Sequence, residues 1–265
     1  WVELENGENW FFHFQDKGVY GRIVHLQPLS WRADGWPQIG QRLDNNGKGQ
    51  PVSLHRLPAL PLVPCCLQTS DDFPCGQPGL QWQWQANPQR RWLMPHTRGL
   101  RLRCAPTASY ISLYRLPQLL LQKFPAERFH VQTAVHPMFS QDGDEAGVAI
   151  YGQRFAALRV RYCAPTLQLS LCHGWIDDRD ETHQESIELE AIAGCHEIEL
   201  GLQVDYDGIV RFRYRFTQRE WQQVTPSFSA GAGKLLGERM GIYARGAHEN
   251  AGGSAVFSPF IVRLQ

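Results

Sequence analysis

The densest concentrations of reactive side chains in this sequence are two acidic runs, Asp142-Gly-Asp144-Glu145 and Asp177-Asp178-Arg179-Asp180-Glu181. Calcium takes several oxygen ligands from carboxylates and carbonyls, so either run could supply part of a shell. Neither has the full spacing of an EF-hand loop, and a solvated hairpin tip is the simpler reading of each. Trp82 and Trp84 alternate with glutamines, which puts both indoles on one side of a strand. Aromatic faces suit the apolar side of a pyranose, but at this spacing the expectation is that both fill a core. Gly231-Ala-Gly233-Lys234 resembles a piece of a phosphate loop. Its early glycine is missing and Leu235 follows the lysine, so a turn before a strand is expected instead. The ten histidines show no metal-ligand spacing, and His13, on an aromatic strand, is expected to have a satisfied structural role. There is no G-x-S-x-G elbow, no H-E-x-x-H and no Rossmann glycine fingerprint.

Seven cysteines lie at residues 65, 66, 75, 104, 163, 172 and 195. An odd count without C-x-x-C argues against structural zinc and a regular disulfide framework, and predicts mostly free buried thiols, with room for one bridge among Cys65, Cys66 and Cys75. Such usage favours the cytoplasm over a secreted or periplasmic location. Trp1 is no start methionine, so the expectation is that processing or truncation has removed what came before, and the place of a signal peptide is not in view, which leaves that question open. Twenty-six basic and 26 acidic residues leave a formal net charge of zero, which lacks the footprint of a nucleic-acid or anionic-membrane binder. No stretch approaches the ~20 apolar residues that span a bilayer.

These side chains must be carried mainly by β structure. Residues 1–40 read as an antiparallel meander of three strands punctuated by Asn6-Gly7, Asp16-Lys17-Gly18 and Asp34-Gly35-Trp36-Pro37. Pro51, Pro58, Pro61, Pro64 and Pro74 mark a connector over 46–75. From 76 onward, alternating segments follow at 80–85, 100–104, 129–135, 148–151, 157–162, 167–172, 197–204, 210–216, 240–244 and 256–264, with Asp207-Gly208 as a hairpin turn. Only 117–124 and 186–192 hint at helix. Many short strands at this spacing predict a two-sheet β-sandwich.

The order of the motifs carries more than any one of them. Trp10-Phe-Phe-His-Phe-Gln-Asp16, Tyr20-Gly-Arg22-Ile-Val-His-Leu-Gln-Pro28, Trp31 and Asp34-Gly-Trp-Pro37 resemble the last blade of a five-bladed propeller of glycoside hydrolase family 43. Gly79-Leu-Gln-Trp-Gln-Trp-Gln-Ala-Asn-Pro88, Leu119-Leu-Leu-Gln-Lys-Phe-Pro125, Gly143-Asp-Glu-Ala-Gly147-Val-Ala-Ile-Tyr-Gly152 and Met240-Gly-Ile-Tyr-Ala244 resemble that family's C-terminal concanavalin-like sandwich, in order. The implied fold is all-β: 1–45 a terminal propeller blade, 46–75 a Pro-rich linker and 76–265 an accessory β-sandwich of jelly-roll type.

The resemblance implies the C-terminal portion of an inverting β-xylosidase or α-L-arabinofuranosidase acting on xylan- or arabinoxylan-derived oligosaccharides. The family's base, acid and acid-tuning carboxylates come from earlier blades and have no counterpart here, so no catalytic residue is expected in this chain, and the chain alone should be inactive. No metal or cofactor is expected in it, although the resemblance allows a metal ion at the centre of an intact propeller. Arg22 matches the arginine that relatives extend to the sugar. Leu235 stands where many relatives place Trp or Phe before a Gly at the pocket rim. Ser258 and Pro259 replace acidic and aromatic residues of some relatives, which weakens the case for calcium. The expected partners are xylo- or arabino-oligosaccharides reached through the parent propeller, and a second copy of the chain, with no nucleic acid or membrane. The competing reading is a non-catalytic carbohydrate-binding or structural sandwich.

Overall fold

The computed structural model of the chain describes residues 1–59, 66–107, 112–194, 197–233, 235–247 and 253–265. Two compact units emerge: Trp1–Lys17 with Arg22–Leu67, and Gly18–Gly21 with Gln68–Gln265.

In the first unit β1 (Val2–Glu3), β2 (Asn9–Asp16), β3 (Arg22–Trp31) and β4 (Pro37–Ile39) form an antiparallel sheet in chain order, the expected three-stranded meander with a short fourth strand added. A small ribbon of β5 (Arg42–Leu43) and β6 (Gly49–Gln50) follows. Gly7 and Gly35 turn the chain at φ 84° and 82°, in the left-handed region that favours glycine. Strand alternation places the facing pairs Phe12/Leu26 and Phe14/Val24 on one side of the sheet, and all four are exposed. Trp10, on the same side, is buried against His55 with ring centroids 5.4 Å apart.

The second unit opens its strand series with β7 (Gln83–Trp84), β8 (Leu93–Met94), β9 (Leu100–Arg103), β10 (Ala105–Pro106) and β11 (Leu120–Lys123). The long strands come next: β12 (Phe129–Met138), β13 (Glu145–Tyr151), β14 (Arg154–Cys163), β15 (Thr166–Ile176), β16 (Thr182–Ile192), β17 (Ile198–Val204) and β18 (Ile209–Phe216). After β19 (Gln222–Gln223) and β20 (Phe228–Ser229), β21 (Arg239–Gly246) and β22 (Ser254–Leu264) return to the sheet centres. One sheet runs β16-β15-β14-β13-β21-β11-β7, with β10 beside β21, and the other β19-β18-β17-β12-β22-β9-β8, with β20 beside β18. Pairing is antiparallel apart from β10 with β21. Among the described residues the helical elements are short 3-10 turns, and no helix is long and apolar enough to cross a membrane.

Alternation along the strands builds the core. Val148, Ile150, Leu158, Val160, Leu171 and Ile242 of the first sheet pack in one cluster with Val131, Leu200, Leu202, Phe212 and Phe257 of the second, all essentially without solvent contact. Burying each such side chain contributes about 1.5–3 kcal/mol. Trp82 and Trp84 join this cluster, as the core reading expected. Residues 186–192 are strand rather than helix, a correction to the sequence reading. Ile187 and Leu189 pack on the core while Glu188 faces outward, a period of two that the helix-favouring glutamates obscured. Residues 120–123 of the other hinted helix are β11. At Asp207-Gly208 both residues take positive φ (59° and 72°), so β17 and β18 are joined as that dipeptide predicts.

Two glycines set a close backbone approach. A Cβ on Gly21 would lie 2.1 Å from the Gly237 nitrogen, and one on Gly237 2.3 Å from the Tyr20 carbonyl carbon. Only there can Gly21 bridge Leu236 and the Glu238 amide donate to the Val19 carbonyl at 2.7 Å. This contact ties 18–21 to the strand that follows Leu235.

Of the Asp142–Glu145 run only Asp142 is exposed in a turn, and the rest is not the solvated tip expected. Asp144 and Glu145 are buried, because their backbone continues into β13 at the middle of a sheet. Asp144 Oδ2 accepts the Ser140 and Gln141 amides. Glu145 accepts Arg159 at 3.0 Å, Arg245 at 2.9 Å and the Tyr243 hydroxyl at 3.0 Å. Arg159 also donates to Ser170 and Ser186, so one polar chain crosses β21, β13, β14, β15 and β16. Burial alone would raise the Glu145 pKa, but Arg245 and Arg159 outweigh it and hold the carboxyl below the usual range. Glu145→Gln should destabilise the chain by about 3–5 kcal/mol at pH 7, since it strands two buried cations. A depressed carboxylate pKa contributes stability above the unfolded value and loses it as pH falls through the folded value. Urea unfolding of both proteins should therefore show the full difference at pH 7, narrowing only below about pH 4.

Candidate functional site

On the second unit, the outer end of the first sheet opens into a cleft of 460 Å³. Strand β13 ends there with Tyr151, β21 begins with Arg239, and the loop after Gly231 supplies Leu235 and Leu236. The segment before β11 folds over the same face. Its Leu113, Leu116 and Leu119 bury a second apolar cluster with Phe155 and Tyr243, and Tyr114 stacks on Tyr151 at 5.5 Å and 6°. Tyr151 is fixed from three sides. Its hydroxyl donates to the Tyr114 carbonyl at 2.9 Å and accepts from Gln85, and Arg239 lies 4.8 Å above its ring. Arg239 in turn donates to Gln85 Oε1 at 2.9 Å.

Burial pushes the Tyr151 phenol well above its ordinary range and lowers Arg239. Asp177, Asp178 and Asp180 also line the cleft. Asp177 Oδ1 accepts the Arg179 and Glu181 amides, and its Oδ2 meets His183 at 2.9 Å. Of the described residues, Asp177, Glu181 and His183 form the group whose ligand atoms, within 4.8 Å of one another, could hold a cation. The run is otherwise the exposed turn that was expected. Hydrogen-bond donors, carboxylates and aromatic rings thus line one cleft, a set of groups that suits a polyol.

The remaining sequence candidates separate. Leu235 is exposed on the rim of this cleft, on the loop before β21. Arg22 belongs to the first unit, where it opens β3, is exposed, and lies 4.4 Å over the Phe14 ring. Trp82 is buried, and its indole donates to Asp71 at 2.8 Å, which removes it as a sugar platform. His13 does not show the satisfied role expected. It faces His25 across β2 and β3 with rings stacked at 5.3 Å, and each Nε2 is buried without a hydrogen bond. That pair was missed because the two residues meet only through strand register. Ser258 pairs Ala134, and Pro259 is the extra residue of a β-bulge, where the absent N–H costs no ladder bond. Cys66, Cys75, Cys104, Cys163 and Cys172 are free thiols, but only Cys104 and Cys172 are buried, a correction to the buried reading. Cys65, Cys195 and Lys234 lie outside the described residues.

Residues 70–263 match the family model described as the beta xylosidase C-terminal concanavalin A-like domain. The chain belongs to that family. It is therefore the C-terminal portion of the glycoside hydrolase family 43 arrangement, nearly all β with two large sheets. A Xylanibacter ruminicola protein that carries a beta-xylosidase name is 37% identical over 160 residues, 59% of this chain and 29% of its own length. A beta-xylosidase of Formosa agariphila is 24% identical over 92% of this chain and 44% of its own length. This chain thus spans less than half of these curated relatives. Xylan beta-1,4-xylosidase from Bacillus halodurans has the same fold at a TM-score of 0.78 and 20% identity, over 99% of this chain and 52% of that one. A family 43 hydrolase engineered for endo-xylanase and exo-arabinofuranosidase activity superposes at 0.81, with 20% identity, over 100% of this chain and 53% of its own.

Behind the cleft wall of this family 43 sandwich lies a side chain that sequence reading missed. Glu238 is 1% exposed, neither carboxylate oxygen has a hydrogen bond, and Oε1 would be 1.9 Å from a Cβ on Gly152. Burial pushes its pKa up to about 8, and the nearby Gly231 amide, Arg239 and Arg154 offset only part of that. A carboxyl whose folded pKa is raised loses stability as pH climbs from the unfolded to the folded value. Glu238→Gln should thus melt with wild type near pH 4 and above it at pH 8, by a difference on the order of 4 kcal/mol at most. Thermal melts across that range measure it, and equal pH dependence of the two proteins would contradict the buried acid.

Proposed function

We propose that this chain is the C-terminal portion of an inverting glycosidase that hydrolyses O-glycosyl bonds in xylan- or arabinoxylan-derived oligosaccharides. The observation that carries the reading is the match of 70–263 to the sandwich family named for beta-xylosidases. Inversion requires a carboxylate that activates water and a carboxylic acid that protonates the leaving oxygen, roughly 6.5–9.5 Å apart. In this proposal both come from the part of such enzymes that the chain does not span. The first unit is read as the last propeller blade and the second as the accessory sandwich. Among the acids of the first unit, Glu8 is already engaged by Arg56 at 2.8 Å and the Ala59 amide at 3.0 Å.

Two residues of the chain are assigned to substrate. Arg22 offers a planar fork of donors to sugar hydroxyls, held in direction by the Phe14 ring beneath it. Leu235 offers an apolar wall at the cleft rim. Part of the arginine's effect should appear in the transition state, because holding the sugar in line with the attacking water is an orientation effect. A second reading, a carbohydrate-binding module, is favoured by the tyrosine, amide and carboxylate lining of the cleft. Saturable binding of xylo-oligosaccharides to the chain, lost in Arg239→Ala, would support it.

Two assays test the main reading. The 265-residue chain should hydrolyse aryl xylosides and arabinofuranosides no faster than background, and turnover that persists after removal of host enzymes would overturn it. In the full-length enzyme Arg22→Ala should lower kcat/KM roughly ten- to a hundredfold with an unchanged melting temperature, since a charge-assisted hydrogen bond is worth about 1.5–3 kcal/mol. Arg22→Lys should recover part of that. Near wild-type kcat/KM in Arg22→Ala would remove the residue from the site.

A further inference from the structure

The outer face of the second sheet, away from the cleft above, carries a ladder of three arginines. Strand β18 reads Ile209-Val-Arg-Phe-Arg-Tyr-Arg-Phe216, so Arg211, Arg213 and Arg215 all point outward. Their partners on β17 in register are Gln203, Gly201 and Glu199. Arg215 forms a two-pronged pair with Glu199 at 2.9 and 2.8 Å, and Arg211 pairs with Asp205. Arg213, opposite a glycine, forms no ion pair among the described residues.

The absence of a side chain at Gly201 lets Arg213 lie flat across β17. A Cβ there would come within 3.2 Å of Arg213 Nε. Trp221 covers the guanidinium from the other side at 4.4 Å, and Nε is buried without a partner. So held, Arg213 lines a cleft of 390 Å³ together with Arg263, His130, Gln132 and Gln265. Among the described residues no acidic side chain lines it. Arg263 is opposite His130 in register. The positive potential is felt by the groups themselves. Burial, then Arg213, Arg128 and Arg263, lower the His130 pKa, while the Gln265 amide partly raises it. Burial, then Arg215 and Arg263, lower Arg213, and the Glu199 carboxylate offsets part of that.

We propose that this cleft binds a small oxyanion, a carboxylate or a phosphate, between Arg213 and Arg263 with His130 beside it. Neither guanidinium forms an ion pair among the described residues, and an oxyanion between them would gain charge-assisted hydrogen bonds from both. Gln132 and Gln265 supply neutral amide groups for whatever the anion is attached to. The site is separate from the proposed glycosidase reading and does not depend on it.

The experiment is a titration of the His130 imidazole by NMR in the intact chain at fixed ionic strength. Inorganic phosphate, sodium glucuronate and neutral xylose are added in separate arms. Phosphate or glucuronate should give a saturable shift and raise the His130 pKa by roughly one unit, whereas xylose should give neither. A stronger response to glucuronate assigns the anion to an acidic sugar, and a stronger response to phosphate to a free phosphate group. Arg213→Ala and Arg263→Ala should each weaken binding at least about tenfold, with Arg211→Gln unchanged. If Arg213→Ala fails to fold, Arg263→Ala alone decides. A drift that never saturates, or binding that survives loss of Arg263, would overturn the site.

Discussion

A carboxylate held charged where water does not reach governs the shape of the second unit. Glu145 sits at the start of a central strand, and its oxygens are shared by Arg159, Arg245 and Tyr243 from the strands on either side. Arg159 extends the chain to Ser170 and Ser186, two strands further on. Apolar packing on the inner face is non-directional and tolerates a slip of register by two residues. A hydrogen-bonded ion cluster spanning five strands does not. Its directional bonds set the order in which those strands lie and thereby where Tyr151 and Arg239, at the other ends of their strands, come out.

The same sheet is apolar on its far half, and this decides where a cleft forms. Leu121, Ala149, Phe155 and Ala157 face outward and are covered by Leu113, Leu116 and Leu119 rather than by the opposing sheet. The cover stops at Tyr114. Beyond it, Tyr151, Arg239 and Gln85 share hydrogen bonds at a boundary between a dry cluster and solvent, the setting in which tyrosine and arginine place an apolar body on one side and a polar end on the other. The buried Glu238 lies just behind, against Gly152, where burial raises its pKa more than the Gly231 amide, Arg239 and Arg154 lower it.

Much of the scaffold was legible in sequence because period-two alternation is a local signal. Strands β12 to β15, β17, β18, β21 and β22 were anticipated to within a few residues, as was the Asp207-Gly208 hairpin. Residues 186–192 misled because glutamate favours helices while the apolar positions 187 and 189 follow the strand period. What could not be read was anything created by register. Glu145 and Arg159, 14 residues apart, meet through β13 and β14, the stacked His13 and His25 meet through β2 and β3, and Arg213 lacks an ion pair among the described residues where Gly201 is its partner across the ladder. Composition read the Asp142–Glu145 run as a surface tip, since three acidic residues in four give no hint that the backbone dives into a sheet. The cleft was half legible. Leu235 came from the order of motifs, but Tyr114, Tyr151, Gln85 and Arg239 converge from four separate elements, and no spacing along the chain marks them.

The two units differ in how completely their apolar faces are covered. The sandwich encloses both of its clusters, whereas the first sheet leaves Phe12, Phe14, Val24 and Leu26 open to solvent. If the sandwich is the self-sufficient body that supports chemistry carried elsewhere, stability must be concentrated in it. Native-state hydrogen exchange on the intact monomeric chain measures this directly. Amides of β12, β13, β14 and β17 should exchange only through global unfolding, while those paired between β2 and β3 should exchange orders of magnitude faster. Equal protection of the two groups would contradict it.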